Sequence, residues 1–86
     1  MHRSTDRFWE CFDRLPDPVQ KTAKKNFELL KTDSSHPSLH FKKIGKFWSI
    51  RAGMNYRALA VQDDHDFIWV WIGTHDEYER IIKQQG

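Results

Sequence analysis

The sequence predicts an α+β domain: an N-terminal helical hairpin packed on a three- to four-stranded antiparallel sheet, closed by a short C-terminal helix. Three observations predict it. Residues 5–30 carry apolar side chains at helical spacing, interrupted once by a proline. Residues 39–72 alternate aromatic or β-branched segments with turn residues. A capping-box pattern then opens a last amphipathic stretch. We read residues 1–86 as a single domain.

In residues 5–15, Phe8, Phe12 and Leu15 fall on one helical face, and the Leu15-Pro16 step ends that helix. Asp17 is placed to cap a second helix, with Pro18 at its first position and Gln20 three residues after the cap. Val19, Ala23, Phe27 and Leu30 form its apolar stripe. The short connection makes the two helices an antiparallel pair. Residues 32–38 are a loop by composition. Short strands are expected at Leu39 to Lys43, at an edge, and at Phe47 to Ala52. After a Gly53-Met54-Asn55 turn, Tyr56 to Gln62 forms the next strand. Phe67 to Ile72 is apolar on both faces, as a central strand would be. Strict alternation there puts Trp69 and Trp71 on one face. Thr74 and Glu77 then cap a helix whose apolar side is Tyr78, Ile81 and Ile82.

The net charge of +2 hides an uneven distribution. Residues 1–30 are +1, residues 31–57 are +5 and residues 58–86 are −4. A strongly cationic tail is excluded, but a local phosphate-binding patch is not. No apolar run approaches the ~20 residues a bilayer span needs. Met1 to Asp6 lack the apolar segment of a signal peptide, so a cytoplasmic location is expected and no membrane partner. Cys11 is alone, which excludes a disulfide framework and a thiolate zinc cluster, and no metal site or cofactor is expected. Its expected place is buried or half-buried in the first helix.

Arg57 shares a strand face with Leu59 and Val61, so its guanidinium needs either a carboxylate or an anionic ligand. Both remain open from sequence. The hairpin turn brings Arg51 near it. Lys42, Lys43 and Lys46 come from the neighbouring segment and would complete a phosphate-binding patch, although any single lysine reads more readily as solvated surface of the hairpin. His40 beside the lysine pair could touch the same phosphate. His75 and Tyr78 are three apart on one helix face, within reach of each other for proton transfer or hydrogen bonding. The plainer reading is a packed tyrosine and a solvated capping histidine. One exposed Trp ring could stack on a base, and the sequence does not say which.

The run Trp48-Ser49-Ile50-Arg51-Ala52-Gly53-Met54-Asn55-Tyr56-Arg57-Ala58-Leu59-Ala60 resembles the R-x-G-x-x-Y-R hairpin of the RelE/ParE superfamily of toxins. The segments Leu15 to Leu30, His36 to Leu39 with Lys42-Lys43, and Trp71 to Tyr78 extend the likeness over nearly the whole chain. The resemblance implies the toxin of a type II toxin–antitoxin pair with a cognate antitoxin protein as partner. For a RelE-like member it implies cleavage of messenger RNA on the ribosome without a metal, by attack of a 2′-hydroxyl that leaves a 2′,3′-cyclic phosphate. A ParE-like member would instead inhibit DNA gyrase without nuclease activity, and an inactive domain would only bind a partner. Arg57 matches the arginine that contacts the scissile phosphate, Arg51 a basic residue ending the preceding strand, and His75 or Tyr78 the C-terminal acid or base. Lys42, Lys43 and Lys46 stand where members turn basic residues toward RNA. Ser49 departs from the pattern, since many of the nucleases carry Arg or Lys there.

Overall fold

Thr5 opens the first helix of the computed structural model, which describes residues 2–85. Its hydroxyl accepts the Phe8 backbone N–H at 3.1 Å and caps α1 (Asp6–Asp13). The helix ends before Leu15, two residues earlier than the spacing suggests. A second helix, α2 (Asp17–Thr32), follows, with Pro16 rather than Asp17 at its capping position and no side-chain cap. Gln20 has another task than a cap. Its amide donates to the carbonyls of Phe12 and Leu15, both at 3.1 Å, and so satisfies the end of α1. A 3-10 turn at Pro37–Leu39 buries Leu39 and leads to β2 (Lys42–Ile44). Then come β3 (Phe47–Arg51), β4 (Tyr56–Asp63), β5 (Asp66–Thr74) and α3 (His75–Gln85).

The antiparallel strands expected from sequence are present, with β2 at one edge, except that the strand expected from Leu39 begins only at Lys42 because Leu39 ends the 3-10 turn. The sheet carries one strand more. Residues His2–Ser4 form β1, which runs parallel to β5 and sets the order β1-β5-β4-β3-β2. Its three residues are too short and too polar to show an alternating pattern, and their partner lies more than sixty positions away. Trp69 Nε1–H donates to His2 Nδ1 at 3.1 Å, and the His2 ring stacks on Phe67. Burial, and then nearby positive charge including Lys31, holds the His2 imidazole below its ordinary pKa. The unfolded chain therefore takes up the proton first as pH falls, and stability declines from about pH 6.5 downward through the lower folded value. We expect wild type to lose melting temperature relative to His2→Gln as pH falls below about 6.5. Parallel curves would contradict this.

A β-bulge overturns the expectation that Trp69 and Trp71 share a face. Trp71 pairs with Leu59 but Trp69 pairs with Ala60, so Val70 is an extra residue on β5. Leu59 and Ala60 point to opposite faces, and their partners follow them. Trp69 joins Phe8, Phe12, Leu30, Ile50 and Ile72 under the helical hairpin. Trp71 joins Leu59 and Tyr78 under α3. Cys11 is half-buried and touches both groups, as expected of it. Trp9, 45% exposed, is the indole left most open.

Gly73 lets the Trp71 indole lie back along the strand. A Cβ there would overlap the Trp71 ring and approach Glu77 Oε1 at 3.1 Å. With Trp71 9% exposed, little room exists to give way. Gly73→Ala is expected to cost about 1–3 kcal/mol by overpacking, read as a lower denaturant midpoint at unchanged slope. No helix of the described residues is long and apolar enough to cross a membrane.

Candidate functional site

The β3–β4 hairpin sets the site. Ala52 N–H donates to the Tyr56 carbonyl at 3.1 Å, and Tyr56 N–H donates to the Gly53 carbonyl at 3.4 Å. Gly53 sits at φ +124°, a conformation that only glycine adopts readily. This turn puts Arg51 directly opposite Arg57. Directly opposed residues share a face, here the one beneath α3, with Ser49 and Leu59 as the next pair.

Two cations are thus held side by side. Arg57 Nη1 donates to the Tyr56 carbonyl at 2.8 Å. Burial, and next the charge of Arg51, lowers the Arg57 pKa, and Tyr78 and Glu79 oppose that effect. Arg51 Nε is buried without an acceptor. The Arg51 carbonyl receives the Asn26 amide at 2.8 Å, which ties the strand end to α2. Among the described residues no carboxylate lies within ion-pair distance of either arginine. Of the two readings left open by sequence, an internal salt bridge for Arg57 is the one the fold does not form. Opposed cations with an unfilled donor favour an anion between or above them.

The start of α3 faces this pair. His75 N–H donates to the Asn55 carbonyl at 2.8 Å, which anchors the helix to the hairpin turn. Thr74 and Glu77 cap it reciprocally, as their spacing predicts. Glu77 N–H donates to Thr74 Oγ1 at 3.2 Å, and Glu77 Oε1 accepts the Thr74 hydroxyl and backbone N–H. The His75 and Tyr78 rings stand 5.6 Å apart at 43°. His75 Nε2 lies 3.5 Å from Glu79 Oε1.

These groups line one cleft of ≈ 220 Å³. His40 and Lys42 come from the β2 side, Ser49 and Arg57 from the sheet, and His75, Tyr78 and Glu79 from α3. Arg51 stands next to the cleft through its pairing with Arg57 rather than in its lining. A larger cleft, ≈ 430 Å³, is lined by Arg7, Arg14 and Glu77 among others, and by none of Arg51, Arg57, His75 and Tyr78.

Not every candidate residue converges. Lys43 pairs with Trp48 and, one residue from Lys42, points to the opposite sheet face. Lys46 lies in the β2–β3 turn with Nζ 5.7 Å from the Phe47 ring centroid. His40 does reach the cleft, held by a left-handed backbone at φ 48°. Two polar cleft residues were not among the sequence candidates. Ser49 is 2% exposed and puts a hydroxyl, not a charge, on the floor. Glu79 is the cleft's carboxylate, and its place four residues after His75 was the signal that could have found it.

No protein-family model and no curated protein matches the sequence. Solved structures do match the fold. A chain of the RelB–RelE antitoxin–toxin complex from Methanococcus jannaschii is similar with TM-score 0.72 at 18% identity, covering 92% of this chain and 96% of that one. The archaeal RelE–RelB complex from Pyrococcus horikoshii gives TM-score 0.69 at 11% identity over 86% and 92%. The isolated RelE toxin of E. coli gives 0.63 at 13% identity over 98% and 96%. Identities this low carry architecture and not activity. On that architecture, the chain has the fold of the RelE toxins.

Proposed function

We propose that this chain is the toxin of a type II toxin–antitoxin pair and a metal-independent, ribosome-associated messenger-RNA endoribonuclease. One observation carries the proposal: Arg51 and Arg57 oppose each other without a carboxylate partner, beside a cleft that also holds His75 and Tyr78. Residues 1–86 act as one toxin domain, working where ribosomes are, in the cytoplasm, with a cognate antitoxin that covers the basic hairpin.

The chemistry follows from those groups. The RNA 2′-oxygen attacks the adjacent phosphorus, the bond to the 5′-oxygen breaks, and a 2′,3′-cyclic phosphate and a free 5′-hydroxyl result. Negative charge grows on the phosphoryl oxygens during attack. Arg57, with Arg51 behind it, stabilises that charge in place, and the cost of burying the guanidinium is borne before substrate arrives. The 2′-hydroxyl must lose a proton and the 5′-oxygen must gain one. His75, whose residue type changes charge near neutral pH, serves as proton carrier. The Tyr78 phenol donates to a phosphate or leaving oxygen. Lys42 and His40 hold the flanking phosphate, and Ser49 adds no charge, so the arginines carry more of the load than in a site with a third strand cation.

The test is tight induction of wild type and Arg57→Ala with transcriptome-wide mapping of RNA 5′ ends. New 5′-hydroxyl ends in messages, dependent on Arg57, are expected. Growth arrest with intact messages would refute the nuclease reading, and double-strand DNA breaks in that case would point to gyrase.

A further inference from the structure

Glu79 stands in the cleft where a phosphate would be expected to meet only cations. Its carboxylate lines the same ≈ 220 Å³ space as Arg57, Lys42, His40 and His75. The fold does not require it there. It caps no backbone N–H, its side chain is 41% exposed, and its carboxylate lies 3.5 Å from His75 Nε2. Glu77, two residues earlier and in the lining of the other cleft, does the capping instead. The other carboxylates of the acidic C-terminal third lie outside the cleft lining.

We infer that Glu79 is a built-in counter-anion of the cleft, competing with an RNA phosphodiester for its cations and holding affinity for the strand down. The inference rests on the cleft being a phosphodiester site. Its field favours the protonated form of Arg57, so the two charges already sense each other. A phosphate that enters must displace Glu79 from that field or tolerate a like charge a few ångströms away. Either way the bound strand is less stable than the arginine pair alone would make it. The cyclic phosphate product is also an anion, so the same repulsion speeds its departure.

The measurement is binding of a short 2′-O-methyl RNA, which lacks an attacking hydroxyl, by fluorescence anisotropy. Glu79→Gln keeps size and hydrogen bonding but removes the charge. It is expected to bind about three- to tenfold more tightly than wild type at about 50 mM salt, with the gap closing at about 500 mM. Glu79→Asp should bind as wild type does. Loss of a merely structural side chain would not raise affinity. Equal or weaker binding by Glu79→Gln overturns the inference. Arg57→Ala that binds as well as wild type removes the phosphodiester site, and the inference with it. Absence of message cleavage in cells defeats the nuclease reading alone and leaves the affinity comparison standing.

Discussion

Arg57→Ala should lower the rate of RNA cleavage about 10²–10³-fold, the typical cost of removing one preorganised donor to a developing oxyanion. Stability should move the other way or not at all. In the native state the guanidinium is partly stripped of water and faces Arg51 across the hairpin. It is protonated in both folded and unfolded states at neutral pH, so its depressed pKa is a standing cost to the fold. That cost would be relieved only in strongly alkaline solution. Removing the side chain therefore gives a melting temperature equal to or above that of wild type. Most loss-of-function substitutions lose stability together with activity, so this opposite pairing identifies a functional cation. Arg57→Lys is a sharper version. It keeps the charge but loses the planar fork that donates to the Tyr56 carbonyl, and should recover only part of the rate. A variant with full activity, or one that loses both activity and stability, would contradict the assignment.

Much of this site was legible because its parts are local. The Arg51–Arg57 opposition follows from one hairpin turn, and the helix start at His75 follows from the Thr74–Glu77 box. The parts that were not legible depend on geometry that the one-dimensional pattern does not carry. Strand β1 is three residues long and pairs with a segment at the far end of the chain. The bulge at Val70 leaves no mark in a segment that is apolar on both faces, since no polar residue reports a change of parity. Lys42 and Lys43 looked like one basic pair, yet neighbouring strand residues point apart, and only Lys42 reaches the cleft. Gln20 read as a capping residue because its spacing fits a box. Its amide instead found three-dimensional partners in the end of the preceding helix. The charge pattern was informative at the level of segments: the +5 stretch holds both arginines, and the −4 stretch supplies Glu79.

The bulge makes the second large prediction specific. Trp69 is 2% exposed, its ring meets Phe27 edge to face at 5.1 Å, and its N–H is donated to His2. Trp69→Ala should cost about 3–5 kcal/mol through lost burial and the cavity left behind. Small domains are held by about 5–15 kcal/mol in total, so this variant should sit close to its unfolding transition at 37 °C. Trp69→Phe keeps most of the packing but leaves the His2 acceptor without its donor, a loss of about 1 kcal/mol, and should also weaken β1. The bulge further dictates which partner feels the change. Trp69 lies under the helical hairpin, so a double-mutant cycle with Phe27 should show about 0.5–1.5 kcal/mol of coupling. Tyr78 lies on the other sheet face with Trp71, so Trp69 and Tyr78 substitutions should add within about 0.5 kcal/mol. Strict strand alternation would put both indoles against Tyr78 and reverse that ranking. A Trp69–Tyr78 coupling larger than Trp69–Phe27 would therefore refute the bulge. The Arg57–Gly73 pair lies on the Trp71 side of the bulge and keeps its face in either case.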